Sequence, residues 1–316
     1  MKILFIKPSS LGDIVHGLQF AETLRQDLSG LHVSWVTREI FEPLVSSCKT
    51  VDEVFVFRRD QGLIGFLRLL REIRRHEFDW AIDLQGLFRS GLLCFFTKSG
   101  EKAGRADARE TAGIFYKKKP RMPKGGRESH ALEILLQFRE FFGLKPELKG
   151  NLHFDESLLP EVDLELLEAK IDSRTILLFP KSRRAEKEWP FFSELTVSLL
   201  QNCSRTRIVW AASRKLETPL GLPTDRFLNL SGNTPIQSLP ALISSVDLVL
   251  ANDSGPMHLA VALGKTVAAL FGPTDPRRFG PYNSGNNAHR TIQAPEGNLS
   301  KLSPNLVQSE LLSMLP

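Results

Sequence analysis

Lys2-Ile3-Leu4-Phe5-Ile6-Lys7-Pro8-Ser9-Ser10-Leu11-Gly12-Asp13 opens the chain with an apolar run closed by a polar turn, and Ile14, Leu18, Ala21 and Leu24 then recur at helical spacing. A short apolar run bounded by turn residues reads as a strand, and the three-to-four-residue period after it reads as a helix. The same unit repeats outward: Val33 to Val36 then Ile40 to Val45, Val54 to Phe57 then Leu63 to Ile73, Trp80 to Leu84 then Leu87 to Phe96. Strands alternating with helices predict a parallel sheet flanked by helices.

From Gly100 to Glu128 the pattern lapses into a stretch rich in Lys, Arg and Gly, read as a mobile loop, and an amphipathic helix is expected from Ala131 to Phe142. Leu144 to Lys170 has two prolines and weak periodicity and reads as a link. A second strand series follows at Ile176 to Phe179, Ile208 to Ala211, Phe227 to Leu230, Val246 to Leu250 and Val267 to Phe271. The expectation is two α/β domains, 1–165 and 166–316. Pro190 suits the first turn of a helix, where its missing N–H has no partner to lose. The segment Leu306 to Met314 has helical spacing and is placed as a closing helix free to pack back onto the first domain.

The length of 316 residues fits two such domains. Hydrophobic residues at 42% and charged residues at 24% exclude wholesale disorder and a multi-span membrane protein. The net charge of +5 permits an anionic partner. Cys48, Cys94 and Cys203 are too scattered for a disulfide framework or a zinc site, and a reducing cytoplasm is expected. Ile3 to Ile6 falls far short of a signal-peptide core, and no apolar run approaches spanning length, so membrane contact is expected at the surface only.

Asp13 falls where the first strand turns into its helix, at the carboxyl edge where open α/β sheets bind ligands. Two readings stand: a carboxylate that accepts a proton from a substrate hydroxyl, or a helix cap bonded to its own backbone. Ala251-Asn252-Asp253-Ser254-Gly255-Pro256-Met257-His258 follows a strand and precedes a helix. It is either a diphosphate site built from helix-start amides or an ordinary capped helix with His258 partly buried. Lys181-Ser182-Arg183-Arg184-Ala185-Glu186-Lys187-Glu188-Trp189-Pro190 sets cations after another strand, either to neutralise phosphate or as solvated loop. Phe271-Gly272-Pro273-Thr274-Asp275-Pro276 is a cleft-lining turn or structural punctuation. Arg58, Arg59, Arg68, Arg71, Arg74, Arg75 and Lys117 through Arg127 form basic clusters with few interleaved aromatics, so an anionic lipid or phosphorylated sugar, not nucleic acid, is the expected partner, against a simple solvated face. His16, His130 and His289 lack ligand spacing, and neither a Gly-x-Gly-x-x-Gly turn nor a Walker A loop follows either opening strand.

Taken together, Lys7 to Asp13, Asp83-Leu84-Gln85-Gly86-Leu87, Lys187-Glu188-Trp189-Pro190, Asn252 to His258 and Phe271 to Pro276 resemble, in this order, the motifs of the ADP-heptose:lipopolysaccharide heptosyltransferases, glycosyltransferase family nine. The pattern looks nearest to the heptosyltransferase I branch. The resemblance implies a GT-B fold, two Rossmann-like domains with parallel sheets facing across a cleft, acceptor on the first and nucleotide sugar on the second. It implies inverting transfer of L-glycero-D-manno-heptose from ADP-heptose, a substrate, to Kdo of the lipopolysaccharide inner core, with no required cofactor or metal. Alternatives are heptosyltransferase II, another nucleotide-sugar core transferase, or a non-catalytic sugar-nucleotide or lipopolysaccharide-binding protein. By the same resemblance Asp13 is the general base and Lys187 the cation at the departing diphosphate. Ser182, Glu217, Asp253, Ser254, Gly255 and His258 are donor-binding, and Ser10, Gly12, Arg58, Arg59, Gln85 and Arg109 acceptor-binding. The implied location is cytoplasmic, peripheral on the anionic inner face of the inner membrane. Ser182 and Arg183 replace two adjacent threonines of that branch, and Glu217 is the nearest acid after Trp210 for the ribose, with Lys215 in the closest register.

Overall fold

The computed structural model describes residues 1–155, 174–223, 225–282 and 289–315. It divides into two compact units, Met1–Leu158 and Leu159–Pro316. The expected boundary at 165/166 and most of the expected link lie outside the described residues.

The first unit holds β1 (Lys2–Ile6), α1 (Leu11–Asp27), β2 (His32–Arg38), α2 (Glu42–Ser47), β3 (Glu53–Phe57), α3 (Gly62–Ile73), β4 (Phe78–Asp83), α4 (Phe88–Phe96), β5 (Ser99–Gly104) and α5 (Ala131–Leu136). Its five strands are parallel, in the order β3-β2-β1-β4-β5. Ile3, Leu4, Phe5 and Ile6 are all fully buried, as a central strand covered on both faces requires. Helix α1 lies close on the sheet because Gly17 has no side chain: a Cβ there would stand 2.8 Å from Trp35 Cη2.

The second unit holds β6 (Arg174–Phe179), α6 (Phe192–Asn202), β7 (Thr206–Trp210), β8 (Phe227–Asn229), α7 (Leu239–Ser244), β9 (Leu248–Asn252), α8 (Gly255–Ala262), β10 (Thr266–Phe271), α9 (Pro276–Phe279), β11 (His289–Gln293) and α10 (Pro304–Met314). Its strands are also all parallel, ordered β11-β10-β9-β6-β7-β8. Met257 through Ala262 of α8 are buried without interruption, so this helix, apolar on every side but for His258, sits inside its unit.

Several details depart from the sequence expectation. The stretch from Gly100 to Glu128 is tied down at both its start and its middle. Its first residues complete β5, and Gly104 N donates to Lys118 O at 3.1 Å. A Cβ on Gly104 would overlap the Tyr116 ring, so glycine is required for that closure. Strand β5 was hidden because Ser-Gly-Glu-Lys-Ala-Gly has no apolar alternation; an edge strand is held by backbone pairing with β4. The edge strand β11 escaped for the same reason. Pro190 stands two residues ahead of α6, in the entering turn, not in the helix. The closing helix α10 contributes Val307 and Leu311 to the core of the second unit, beside Leu195 and Leu199 of α6.

Leu311 is fully buried in that core. Leu311→Ala should therefore destabilise the second unit by about 2–5 kcal/mol, seen as a lower urea midpoint for its unfolding transition, with the first unit's transition unmoved.

Candidate active sites at the carboxyl edges of the two sheets

In the first sheet the strand order reverses between β1 and β4, which opens a crevice beyond their carboxyl ends. Lys7 and Asp13 follow β1, and Asp83 ends β4. Ser10 is the N-cap of α1, and Asp13, three residues on, accepts hydrogen bonds at Oδ2 from Ser10 N (3.1 Å) and Ser10 Oγ (2.7 Å). The capping reading of Asp13 is thus correct as geometry, in the form of a capping box. It leaves Oδ1 beside the Lys7 ammonium at 3.5 Å, on a carboxyl side chain 47% exposed, while Lys7 is only 3% exposed. Burial opposes ionisation of Asp13, but Lys7 and the two Ser10 bonds outweigh it and hold the group well below the usual carboxylate range. Burial pulls Lys7 below its ordinary value, with Asp13 and Asp83 acting in the other direction. Gly12 lies inside α1 and does not have a positive φ, so the helical backbone, not glycine's conformational freedom, sets the direction of Asp13.

Asp83 is fully buried, and burial raises its pKa against hydrogen bonds from Tyr116 Oη (2.6 Å), Gln85 N (2.8 Å) and Gly86 N (3.1 Å). These bonds fold the 83–87 turn, in which Gly86 has φ +71°, a conformation that favours glycine, and a Cβ would stand only 3.0 Å from Arg105 Cδ. Gln85 Oε1 is buried at this edge without a protein partner, as is Thr37 Oγ1 at the end of β2. Arg109 N donates to Gly86 O at 2.8 Å, which fastens its exposed guanidinium to the same turn. Arg58 and Arg59 are exposed beyond β3, which β2 separates from β1. The sequence reading gave no role to Lys7, Asp83 or Tyr116; the partners of Tyr116 come from a distant turn, so no local spacing could flag it.

In the second sheet the order reverses between β6 and β9. Here Lys187 Nζ meets Asp253 Oδ2 at 2.5 Å, Thr274 Oγ1 donates to the same oxygen at 2.7 Å, and Ser182 Oγ lies 3.4 Å from Asp253 O. Ser254 is the N-cap of α8, Gly255 opens the helix, and Ser254 Oγ is buried without a protein partner. His258 is buried one turn into the helix, its N–H on Ser254 O. Asn252 staples three segments together: Oδ1 accepts from Trp189 N (3.0 Å), and Nδ2 donates to Phe179 O (3.3 Å) and Pro180 O (3.2 Å). Glu188 gathers Lys181 Nζ (2.8 Å), Ser182 N (3.1 Å) and Arg214 (3.5 Å). Three motifs distant in sequence, at 181–190, 252–258 and 271–276, therefore converge on Asp253.

Glu217 lies apart from this cluster, exposed after β7 in an open cavity of about 590 Å³ that Lys215, Asn229 and Ser231 also line. Asn229 Nδ2 donates to Leu216 O (3.0 Å) and Ser231 Oγ accepts from Leu216 N (2.8 Å), which fixes the loop that carries the acid. Among the described residues, no group of three or more His, Cys, Asp or Glu side chains is placed to hold a metal ion.

Two units of parallel sheet with flanking helices, each with polar groups gathered at the strand-order reversal, form a GT-B-like architecture. A model of glycosyltransferase family 9 (heptosyltransferase) matches residues 66–306, and the chain belongs to this family. The lipopolysaccharide core heptosyltransferase OpsX of Haemophilus influenzae is 27% identical over 90% of this chain and 83% of its own. Lipopolysaccharide heptosyltransferase 1 of Escherichia coli is 26% identical over 99% of this chain and 100% of its own. Among solved structures, the E. coli heptosyltransferase WaaC with ADP shares the fold, with a TM-score of 0.78 at 22% identity over 100% of both chains. Membership makes the reaction a glycosyl transfer of the heptosyltransferase family.

Removing the Asn252 side chain would leave Trp189 N–H buried without its acceptor. Asn252→Ala should cost about 1–3 kcal/mol of stability, seen as a lower urea midpoint for the unfolding transition of the second unit.

Proposed function

We propose that the chain transfers L-glycero-D-manno-heptose from ADP-heptose to Kdo of the lipopolysaccharide inner core, with inversion and without a metal or other cofactor. The observation that carries this reading is an ionised, half-exposed Asp13 at the reversal of the first sheet, paired in role with a cation and a helix start at the reversal of the second. Relatives named for ADP-heptose chemistry support the donor, and the several relatives named lipopolysaccharide heptosyltransferase 1 favour the Kdo acceptor over the already heptosylated one.

The chemistry follows from the groups available. An acceptor hydroxyl attacks the anomeric carbon; its oxygen–carbon bond forms as the bond to the diphosphate oxygen breaks, and ADP departs with the electron pair. A carboxylate as weakly basic as Asp13 accepts the hydroxyl proton late, once bond formation has made that proton acidic. Ser10 and Lys7 hold the carboxylate in place and keep it charged. At the donor site the α8 start presents N–H groups and the positive end of its dipole to the diphosphate. Lys187 exchanges Asp253 for the leaving group's charge, and Asp253 is released toward sugar hydroxyls. Glu217 takes the ribose, and Gln85, Arg58, Arg59 and Arg109 take the acidic acceptor sugar and its neighbours. The enzyme works in the cytoplasm, on the inner-membrane face, where the exposed lysines and arginines of 117–127 meet anionic lipid.

The decisive measurement is ADP release from purified protein with ADP-heptose and Kdo-lipid A. Turnover only on an already heptosylated acceptor would move the assignment to heptosyltransferase II, and donor binding without turnover would leave a binding protein. Asp13→Asn keeps an acceptor for Ser10 N–H, so it should preserve donor affinity while losing about 10²- to 10⁴-fold in kcat; retention of more than a tenth of the rate would remove Asp13 as the base. Lys187→Ala should weaken ADP binding by about tenfold or more while the chain stays folded. Because the Asp13 pKa is depressed, the carboxylate is already ionised above the normal carboxylate range and loses its charge only as pH falls through the depressed value. The pH profile of kcat/KM should therefore show no acid limb from this group between about pH 5 and 8.

A further inference from the structure

Helix α3 carries its apolar residues on two sides. Leu69 and Ile73 are buried in the first unit's core, with Phe66 and Leu70 packed against it. Leu63, Ile64 and Leu67 point outward, 72%, 62% and 42% exposed. One outward stripe continues from these residues through Arg68 and Arg71, both exposed, since positions three and four apart share a helix face. The stripe is thus split along its length into an apolar first half and a cationic second half. Leu63 and Arg71 are eight residues apart, roughly 12 Å along the axis. Between Arg58 and Arg75 six arginines stand against only Asp60 and Glu72, a net of +4.

The surroundings extend this pattern. Helix α4 packs through Leu93 and Cys94 into the same core cluster as α3, so both helices cover one face of the sheet. Phe88 at the start of α4 and Ile114 in the turn at Ala112–Phe115 are 43% and 74% exposed. Both α3 and α4 begin just beyond the carboxyl ends of their preceding strands, the edge that holds Asp13.

We infer that the first half of α3 is a bilayer-inserting wedge, which enters an anionic membrane through Leu63, Ile64 and Leu67 while the arginines behind them stay among the headgroups. An interfacial helix buries its apolar side chains about 5–10 Å into the headgroup–acyl boundary while its cations stay among the headgroups, and the exposed face of α3 offers that division between Leu63, Ile64 and Leu67 and the arginines that follow them. A protein partner or second copy fits less well: a stable interface needs about 800 Å² per partner, whereas a few aliphatic side chains offer a few hundred at most. The strongly one-signed charge selects anionic over neutral lipid. Insertion at this edge would bring the Asp13 crevice to the level at which a lipid-anchored acceptor displays its sugars. The inference deepens the peripheral location proposed above and rests on it for the bilayer as partner, but it assigns the contact to α3 instead of to residues 117–127 alone.

The test is flotation of the full-length protein with vesicles of equal parts phosphatidylcholine and phosphatidylglycerol, and with phosphatidylcholine alone. Wild type should bind the anionic vesicles and not the neutral ones. Leu63→Ser with Ile64→Ser should weaken that binding about tenfold or more, because two aliphatic side chains no longer leave water, with circular dichroism and ADP affinity unchanged. Arg68→Ala with Arg71→Ala should reduce binding chiefly at low salt. If the Leu63/Ile64 variant floats like wild type, insertion is overturned while the electrostatic docking of 117–127 survives. If wild type does not float at all, both fail. Self-association that the Leu63/Ile64 change abolishes, in a protein that ignores vesicles, would assign the face to a contact between copies and overturn the wedge.

Discussion

A parallel sheet with helices on both faces buries its central strands in apolar surroundings, so the ionisable groups of consequence gather at or just past the carboxyl ends of those strands. In both units the central strands are buried almost without a break, from Ile3 to Ile6 in one and from Leu248 to Asn252 in the other. Parallel direction then puts all carboxyl ends of a sheet on one edge, and the reversal of strand order separates two neighbouring crossovers there. The place of Lys7, Asp13 and Asp83, and that of Ser182, Asp253 and Ser254, follows from this one constraint.

Each edge is built around a cation–carboxylate pair, and the two pairs are different devices. Lys7 is buried and Asp13 half-exposed, so the ammonium cannot leave and its field acts continuously on a carboxylate that solvent or substrate can reach. Lys187 and Asp253 are both largely covered, but Lys187 sits on a short turn between β6 and α6 and Asp253 also holds Thr274. Separating such a pair is costly unless another charge takes over, which is the part the proposed function gives to the donor's diphosphate. The first pair is suited to keeping a base ionised, the second to being broken by its ligand.

Burial also distinguishes groups that act from groups that hold. Asp83 and Asn252 lie within the two signature stretches nearest the reversals, yet both are fully buried and spend their hydrogen bonds on backbone or on Tyr116. They shape the turns that present Gln85 and Asp253. Their loss would be felt at the sites through geometry.

The alternation of strand and helix, the two α/β domains and the order of the signature stretches were legible in the residues, because apolar period is a local property that a sequence displays directly. Strands β5 and β11 were not, since edge strands are fixed by backbone pairing with a neighbour and need little apolar pattern of their own. The same limit applied at the sites. Asp13, Lys187 and Asp253 could be singled out from position after a strand, but Lys7 as the partner of Asp13, Thr274 on Asp253, Tyr116 on Asp83 and the outward-facing apolar tip of α3 could not. Sequence determines which elements form and where polar residues interrupt them; only the folded chain decides which of those residues meet, because hydrogen bonds, ion pairs and exposure depend on distances between segments that lie far apart along the backbone.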